Sequence, residues 1–210
     1  MNNLADRDRQ TPQNSFQEIE SLERDLVLAR EIQDSQTEAQ LLIKLGSIYY
    51  SESNYNQALE CYQQSLSKAQ EIINLKLEAL SLLSMGWVYQ RIEAKTGKFE
   101  QMLECHHQCF AIAEEISDLW LLASVQVSLG RTYQILEDYD KAISYSQQGL
   151  AIAQQINALS LEEGASETLK MANEALGTEQ QNIENQDILP PGELVLSQIG
   201  LAANSLKLRK

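Results

Sequence analysis

Proline is scarce in this sequence. Its three prolines, Pro12, Pro190 and Pro191, leave the region from about Ser15 to Gly177 without any. A proline in a helix interior costs roughly 3 kcal/mol, so this absence favours a nearly all-helical body. Hydrophobic residues make up 43% of the 210 residues, which is ordinary for a folded protein, so disorder throughout is not expected.

Basic residues and long apolar runs are also scarce. The net charge is −14 and the pI is near 4.5, and such a field repels phosphate backbones, so we expect no nucleic-acid partner. No apolar run approaches the roughly 20 residues that span a bilayer, so we expect no integral membrane segment. The first ten residues lack the apolar region of a secretory signal. With only Cys61, Cys105 and Cys109, we expect free thiols and a cytoplasmic protein.

One short string occurs three times, at residues 42–49, 82–89 and 126–133. Each copy has a large apolar residue, then a glycine (Gly46, Gly86 or Gly130), then a tyrosine three residues later. Glycine inside a helix costs roughly 1 kcal/mol relative to alanine. Because glycine recurs at the same position of all three copies, we predict that a second helix passes too close to this position to leave room for a Cβ.

A second string, Ala-x-x-Ile, shares the period of the first. Its alanines are 40, 44 and 40 residues apart, and the glycines of the first string are 40 and 44 apart. A single period in both strings makes chance similarity improbable. The four extra residues fall between Tyr89 and Phe99, where we expect a turn, because an insertion there breaks no packing.

These periods predict a chain of eight helices. The expected helices are a leading helix at 16–33, three pairs at 36–52 with 55–73, 75–92 with 98–117 and 119–136 with 139–157, and a last helix at 159–177. The last helix lacks the glycine string, so we interpret it as a capping helix. Around this body we expect a flexible leader at 1–15, an acidic linker with Pro-Pro-Gly at 178–192 and an amphipathic, basic-ended tail at 193–210.

With these residues laid out, residues 16–177 resemble a tetratricopeptide repeat array. The signature of that family joins a first helix with Leu-Gly and Tyr to a second helix with Ala, an aromatic and a small residue. The first repeat matches it with Leu45, Gly46, Tyr49, Ala58, Tyr62 and Ser65. A period near 40 resembles the long-unit variant seen in kinesin light chains and in many bacterial signalling and scaffold proteins. The resemblance implies an all-α, right-handed α-solenoid of antiparallel helix pairs, with three repeats between a leading and a capping helix.

In arrays of this family the first helices line a concave groove. The residues a quarter-turn from the packed leucine, glycine and tyrosine should face that groove. They are Lys44, Ser47, Tyr50, Leu80, Leu83, Trp87, Gln90, Arg91, Val127, Arg131 and Gln134. This set holds three cations and no acid, beside aromatic and apolar residues, which favours a peptide with acidic and apolar side chains. The alternative is that Trp87 and Leu83 simply pack against the next helix.

The resemblance implies a non-catalytic scaffold or adaptor that binds a peptide or helical segment of a partner protein in the groove. The alternative is a self-associating structural or regulatory subunit, a homo-oligomer that uses the C-terminal tail or an open end of the solenoid. The sequence lacks a nucleophile–base set for catalysis, so we do not expect an enzyme.

Residues 105–109, Cys-His-His-Gln-Cys, form the one string that invites a metal. On a helix Cys105 and Cys109 share a face, so both thiolates could reach one zinc. However, Cys109 repeats the place of the small Ser65, and His106 repeats the core place of Tyr62. A structural zinc also needs four ligands. We therefore expect these residues to be core, with no metal and no cofactor.

Overall fold

The computed structural model describes residues 7–93 and 99–187, with side chains described for residues 15–92 and 99–178. Within these ranges the chain forms eight α-helices and no strand, as the sequence predicted. They are α1 Arg7–Glu31, α2 Ser35–Ser51, α3 Tyr55–Glu71, α4 Leu75–Glu93, α5 Glu100–Glu115, α6 Leu119–Ile135, α7 Tyr139–Gln155 and α8 Leu159–Asp187. None of these helices combines the length and the apolar composition needed to cross a membrane.

The helices stack as an α-solenoid. The first helices α2, α4 and α6 pair with the second helices α3, α5 and α7, and each first helix also packs against the next first helix, with α8 last in the row. In the described part of the chain the second helices make no comparable packing with one another. Helices that lie closer together occupy the inner side of a curved row. We call the exposed side of α2, α4, α6 and α8 the inner face.

The repeated glycines lie where each first helix meets its second helix. A Cβ built on Gly46 would lie 2.6 Å from the ring of Tyr62. The side chains that a Cβ would meet at the other two glycines are those of His106 at Gly86 and Ser146 at Gly130. The predicted close approach is therefore confirmed in all three repeats.

Six of the turns between helices share one geometry. Each contains a residue with positive φ: Gln33, Ser53, Ile73, Ser117, Glu137 or Asn157. The next residue donates its N–H to the carbonyl five residues earlier, as Asn74 does to Ala69 at 2.8 Å. This is the Schellman pattern of helix ends, which most often has glycine at the residue of positive φ. Here no glycine occupies that place, so the turns hold ordinary residues in a strained conformation.

Replacing Ile73 by glycine is expected to raise the free energy of unfolding by about 1 kcal/mol, because a left-handed backbone costs a residue with a Cβ roughly that much. Ile73 has φ 55° and is 82% exposed, so little packing is lost. The neighbouring Ile72, with φ −95° and partly buried against the core, provides the matched control. Ile72→Gly should lower stability in the same urea titration. A loss of stability in Ile73→Gly would contradict the argument.

Polar side chains close the array at both ends. In α1, Glu18 and Asp25 are exposed at the places where α3 buries Ala58 and Ser65. In α8, the exposed Lys170 lies 40 residues after Gly130, the last repeated glycine. It thus occupies the position against which a further second helix would have to pack. Charged side chains at these places prevent the addition of a further helix. The predicted leading and capping helices are thus confirmed.

The end helices are longer than predicted. Helix α1 begins at Arg7 and so includes Pro12 and most of the expected leader at 1–15. Helix α8 continues through Gly177 to Asp187, over much of the expected linker at 178–192. One glycine costs roughly 1 kcal/mol and does not end a long helix, and no proline follows before Pro190. The expected tail at 193–210 and the inserted residues 94–98 lie outside the described residues.

Candidate functional site

The inner face of α2, α4 and α6 carries no acidic side chain among the described residues. Glu38 in α2 is buried and bonds to Arg30 at 2.7 Å, with Lys68 at 3.6 Å, so it points toward α1 and α3. Glu78 in α4 accepts a hydrogen bond from Gln70 of α3 at 3.0 Å. Helix α6 has no acidic residue. The net charge of the chain is −14, yet the described side chains on this face include no carboxylate.

Three exposed cations lie on the same face: Lys44 on α2, Arg91 on α4 and Arg131 on α6. Among the described side chains, none of the three forms an ion pair. Arg91 donates from Nε to the hydroxyl of Tyr50 at 3.3 Å, and this bond raises the pKa of Arg91 above its ordinary value. The three charges are thus available to an incoming anion.

Side chains on the inner face also connect one repeat to the next. The Tyr50–Arg91 bond joins α2 to α4, and Trp87 Nε1 donates to Ser128 Oγ at 3.0 Å, which joins α4 to α6. Trp87 is half-buried, so it packs against the next helix and still exposes part of its ring. Residues on this face are therefore positioned by the stacking of the repeats.

Known repeat proteins match this chain in sequence and in fold. Two tetratricopeptide repeat family models match residues 41–72 and 91–155, which cover most of the hairpin α2–α3 and all of helices α5 to α7. The chain therefore contains tetratricopeptide repeats, as its sequence predicted. No curated protein matches the sequence.

Two solved structures illustrate the shared tetratricopeptide-like fold. BtubC (BKLC) from P. vanneervenii is 17% identical, with a TM-score of 0.62 over 87% of this chain and 78% of that one. A putative kinesin light chain from Podospora anserina, described as having nearly identical TPR-like repeats, is 18% identical, with a TM-score of 0.61 over 85% of this chain and 86% of that one. At these identities the likeness concerns the fold alone.

Two of the residues predicted for the groove belong to the core of the tetratricopeptide array. Leu83 is 1% exposed and Val127 is 7% exposed. Val127 lies against Gly149 of α7 and Gly164 of α8. Both side chains are therefore unavailable on the inner face, because the quarter-turn argument did not include the neighbouring helices that bury them. Of the other predicted residues, Lys44, Ser47, Arg91 and Arg131 are exposed, and Tyr50, Leu80, Trp87, Gln90 and Gln134 are half-buried.

Helix α8 extends the inner face, which the sequence argument missed. Glu167 and Met171 of α8, together with Arg131, Gln134 and Ile135 of α6, line an open recess of about 460 Å³. The 40-residue period could have predicted this extension, because Met171 lies 40 residues after Arg131 in the sequence. The capping helix thus adds an apolar side chain and one acid at the end of the cationic row.

Of the cysteine–histidine string, Cys105, His106 and Cys109 belong to the core of the second repeat, whereas His107 and Gln108 are exposed. Burial raises the pKa of Cys109 to about 12 and, with a smaller effect from His107, lowers the pKa of His106 to about 3. Both groups are therefore neutral at pH 7. His106 lies beside Thr132, whereas His107 reaches the hydroxyl of Tyr133 at 3.2 Å. In the described part of the chain, no three His, Cys, Asp or Glu side chains lie close enough to hold a metal ion.

Proposed function

We propose that this tetratricopeptide repeat protein is a non-catalytic scaffold or adaptor that binds a segment of another protein on its inner face. The observation that carries the proposal is the separation of charge. Among the described side chains, three cations without ion pairs occupy an inner face of α2, α4 and α6 that has no acid, although the chain as a whole has a net charge of −14. Such a separation has no evident benefit for folding, whereas it gives an acidic partner a favourable approach and a specific orientation.

The residues of the face indicate the chemistry of the partner. Lys44, Arg91 and Arg131 would pair with carboxylates, and the half-buried Leu80 and Trp87 would pack against apolar side chains. Neighbouring helices in a packed array lie roughly 8–10 Å apart. An extended segment therefore advances by about three residues for each repeat that it crosses. We expect acidic and apolar residues to alternate at about this spacing in the partner.

Self-association through the ends of the solenoid is less well supported. The polar residues Glu18, Asp25 and Lys170 lie where a second copy would have to stack. Because burial of such charges without partners is costly, the ends do not favour a filament or an end-to-end dimer. The three cysteines are buried and form no disulfide with one another, in keeping with a protein of the reducing cytoplasm.

Charge reversal on the inner face tests the proposal. Peptides selected from a random displayed library on the wild-type protein should be enriched in Asp, Glu and apolar residues. The double variant Arg91→Glu/Arg131→Glu should bind these peptides at least about tenfold more weakly, since two favourable charge contacts become repulsive. Fluorescence anisotropy at low salt measures the affinity.

The matched control reverses two exposed cations away from the cationic row. Arg24→Glu/Lys170→Glu changes the net charge by the same amount and should bind the selected peptides like the wild type. Equal weakening in both double variants would show that only the overall charge matters, which would refute the proposal. Light scattering should give the same molecular mass for all three proteins, and a change in the first variant alone would favour self-association.

A further inference from the structure

A second recess lies on the opposite side of the solenoid, between the second helices α1 and α3 and over α2. We call it the α1–α3 groove. Its volume is about 440 Å³, within the range of small-ligand sites. The side chains that line its apolar part are those of Leu26, Leu42, Leu45, Tyr49 and Cys61, and Glu23 and Glu60 lie at its rim. Burial raises the pKa of Cys61 to about 11, so its thiol is neutral at pH 7.

The third repeat shows what fills this place elsewhere in the same molecule. The residues 84 positions after Leu26, Tyr49 and Cys61 are Phe110, Tyr133 and Tyr145. Tyr133 and Tyr145 stack with their centroids 5.5 Å apart and their planes 3° from parallel, and Phe110 meets the edge of Tyr145 at 6.4 Å. The smaller Leu26 and Cys61 leave the corresponding volume beside Tyr49 open.

The first repeat has no ring at the place that Tyr145 takes in the third repeat, because Cys61 stands there. All thirteen aromatic residues of the chain lie within the described residues, and residues 1–6, 94–98 and 188–210 contain no Phe, Trp or Tyr. Among residues 1–210, none outside the described ranges can therefore supply an aromatic ring to Tyr49. The predicted tail at 193–210 offers only aliphatic side chains.

The charge around the two places also differs. In the third repeat Lys141 Nζ lies 4.9 Å from the centroid of Tyr133, so a cation of the chain itself covers that ring. Glutamine takes the corresponding place in the first repeat, at Gln57. The pKa of Tyr49 is raised by burial and then by the negative charge of Glu23. Arg30 also lines the groove, where it is paired with Glu38 at 2.7 Å, so the two carboxylates Glu23 and Glu60 outnumber the one cation there.

We propose that the α1–α3 groove is a second interaction site, which accepts an aromatic side chain with an adjacent lysine or arginine from a partner protein. The ring stacks on Tyr49 in the place that Tyr145 holds in the third repeat, and the cation lies near Glu23 and Glu60. The inner face selects acidic segments, so the two sides of the solenoid bind partners of opposite charge. A protein of this kind can hold two different segments at once.

Tyramine, a phenol ring with an ammonium group, is a suitable probe for the full-length protein. In ¹H–¹⁵N NMR spectra, millimolar tyramine should shift the amide signals of Tyr49 and Cys61. The anionic analogue 4-hydroxyphenylacetate should bind about fivefold more weakly, since the charge contacts at the rim become repulsive. Equal binding of both probes, or no shift at these two amides, would overturn the proposal.

Two variants test the site independently of each other. Cys61→Tyr supplies the ring of the third repeat and should abolish the shifts at Tyr49, while peptide binding at the inner face stays unchanged. Glu23→Lys/Glu60→Lys changes only exposed residues and should remove the preference for tyramine over the anionic analogue. Tyramine shifts that persist in Cys61→Tyr would refute the site. Concentration-dependent dimers that Cys61→Tyr abolishes would make a second copy, with its exposed Phe16 or Trp120, the occupant, and would also refute it.

Discussion

Gly130→Ala is expected to lower the free energy of unfolding by about 2 kcal/mol, although alanine is the better helix former by about 1 kcal/mol. A Cβ at this position would meet the Ser146 side chain and would also lie 3.2 Å from the Ser146 nitrogen and 3.3 Å from the Ala142 carbonyl oxygen. Backbone atoms cannot rotate aside as a side chain can. Helices α6 and α7 must therefore move apart, and the packing of the whole hairpin is weakened.

The matched control is Gly177→Ala, where no atom lies within 4 Å of the added Cβ. That exposed substitution should raise the free energy of unfolding by about 1 kcal/mol through helix propensity alone. The two alanine variants are thus expected to have effects of opposite sign in the same urea titration followed by circular dichroism. Stabilisation by Gly130→Ala would mean that the close approach of α6 and α7 is not needed.

Acidification is expected to destabilise the protein through His106. This side chain is 1% exposed, its Nε2 has no hydrogen-bond partner, and burial lowers its pKa from 6.5 to about 3. At pH values between about 3 and 6.5, His106 is therefore protonated in the unfolded chain and neutral in the folded chain. Stability therefore falls as the pH is lowered below 6.5, by about 1.4 kcal/mol per pH unit, or about 2–3 kcal/mol by pH 4.5.

His106→Tyr should remove this slope, because Tyr62 shows that a tyrosine fits beneath the repeated glycine. Urea titrations at pH 7, 6, 5 and 4.5 provide the measurement, and His107→Gln is the control for the only other histidine. Asp118 and Asp138 have pKa values lowered mainly by hydrogen bonds from Lys76 and Lys141, so their contributions are lost only below about pH 4. A slope that survives in His106→Tyr and disappears in His107→Gln would contradict the assignment.

The repeat architecture could be predicted from the sequence because one physical cause occurs several times. Each repeated glycine marks a place where two helices touch. The distances between successive glycines along the sequence were therefore enough to predict the number and the order of the hairpins. The ends of α1 and α8 were harder to predict. Pro12 and Gly177 are common helix breakers, but each costs only part of what a long run of good helix formers supplies.

The candidate site could be predicted only in part for a different reason. Lys44, Arg91 and Arg131 could be singled out because their charge contrasts with the acidic background even in a single sequence, and the structure exposes all three. Whether Leu83 and Val127 are covered depends on the next helix of the stack, which is a tertiary property. The α1–α3 groove was missed because it requires the comparison of Cys61 with Tyr145 in three dimensions.

The polar ends of the solenoid determine how a longer form of this molecule can arise. A unit added outside α1 or α8 would have to pack against the exposed charges of Asp25 or Lys170, which is unfavourable unless the unit supplies a counter-charge. A unit can instead be inserted between existing hairpins, where each unit already fits both of its neighbours. Duplication of an internal 40-residue unit would therefore lengthen the protein by one helix pair, roughly 10 Å, and leave both terminal surfaces intact.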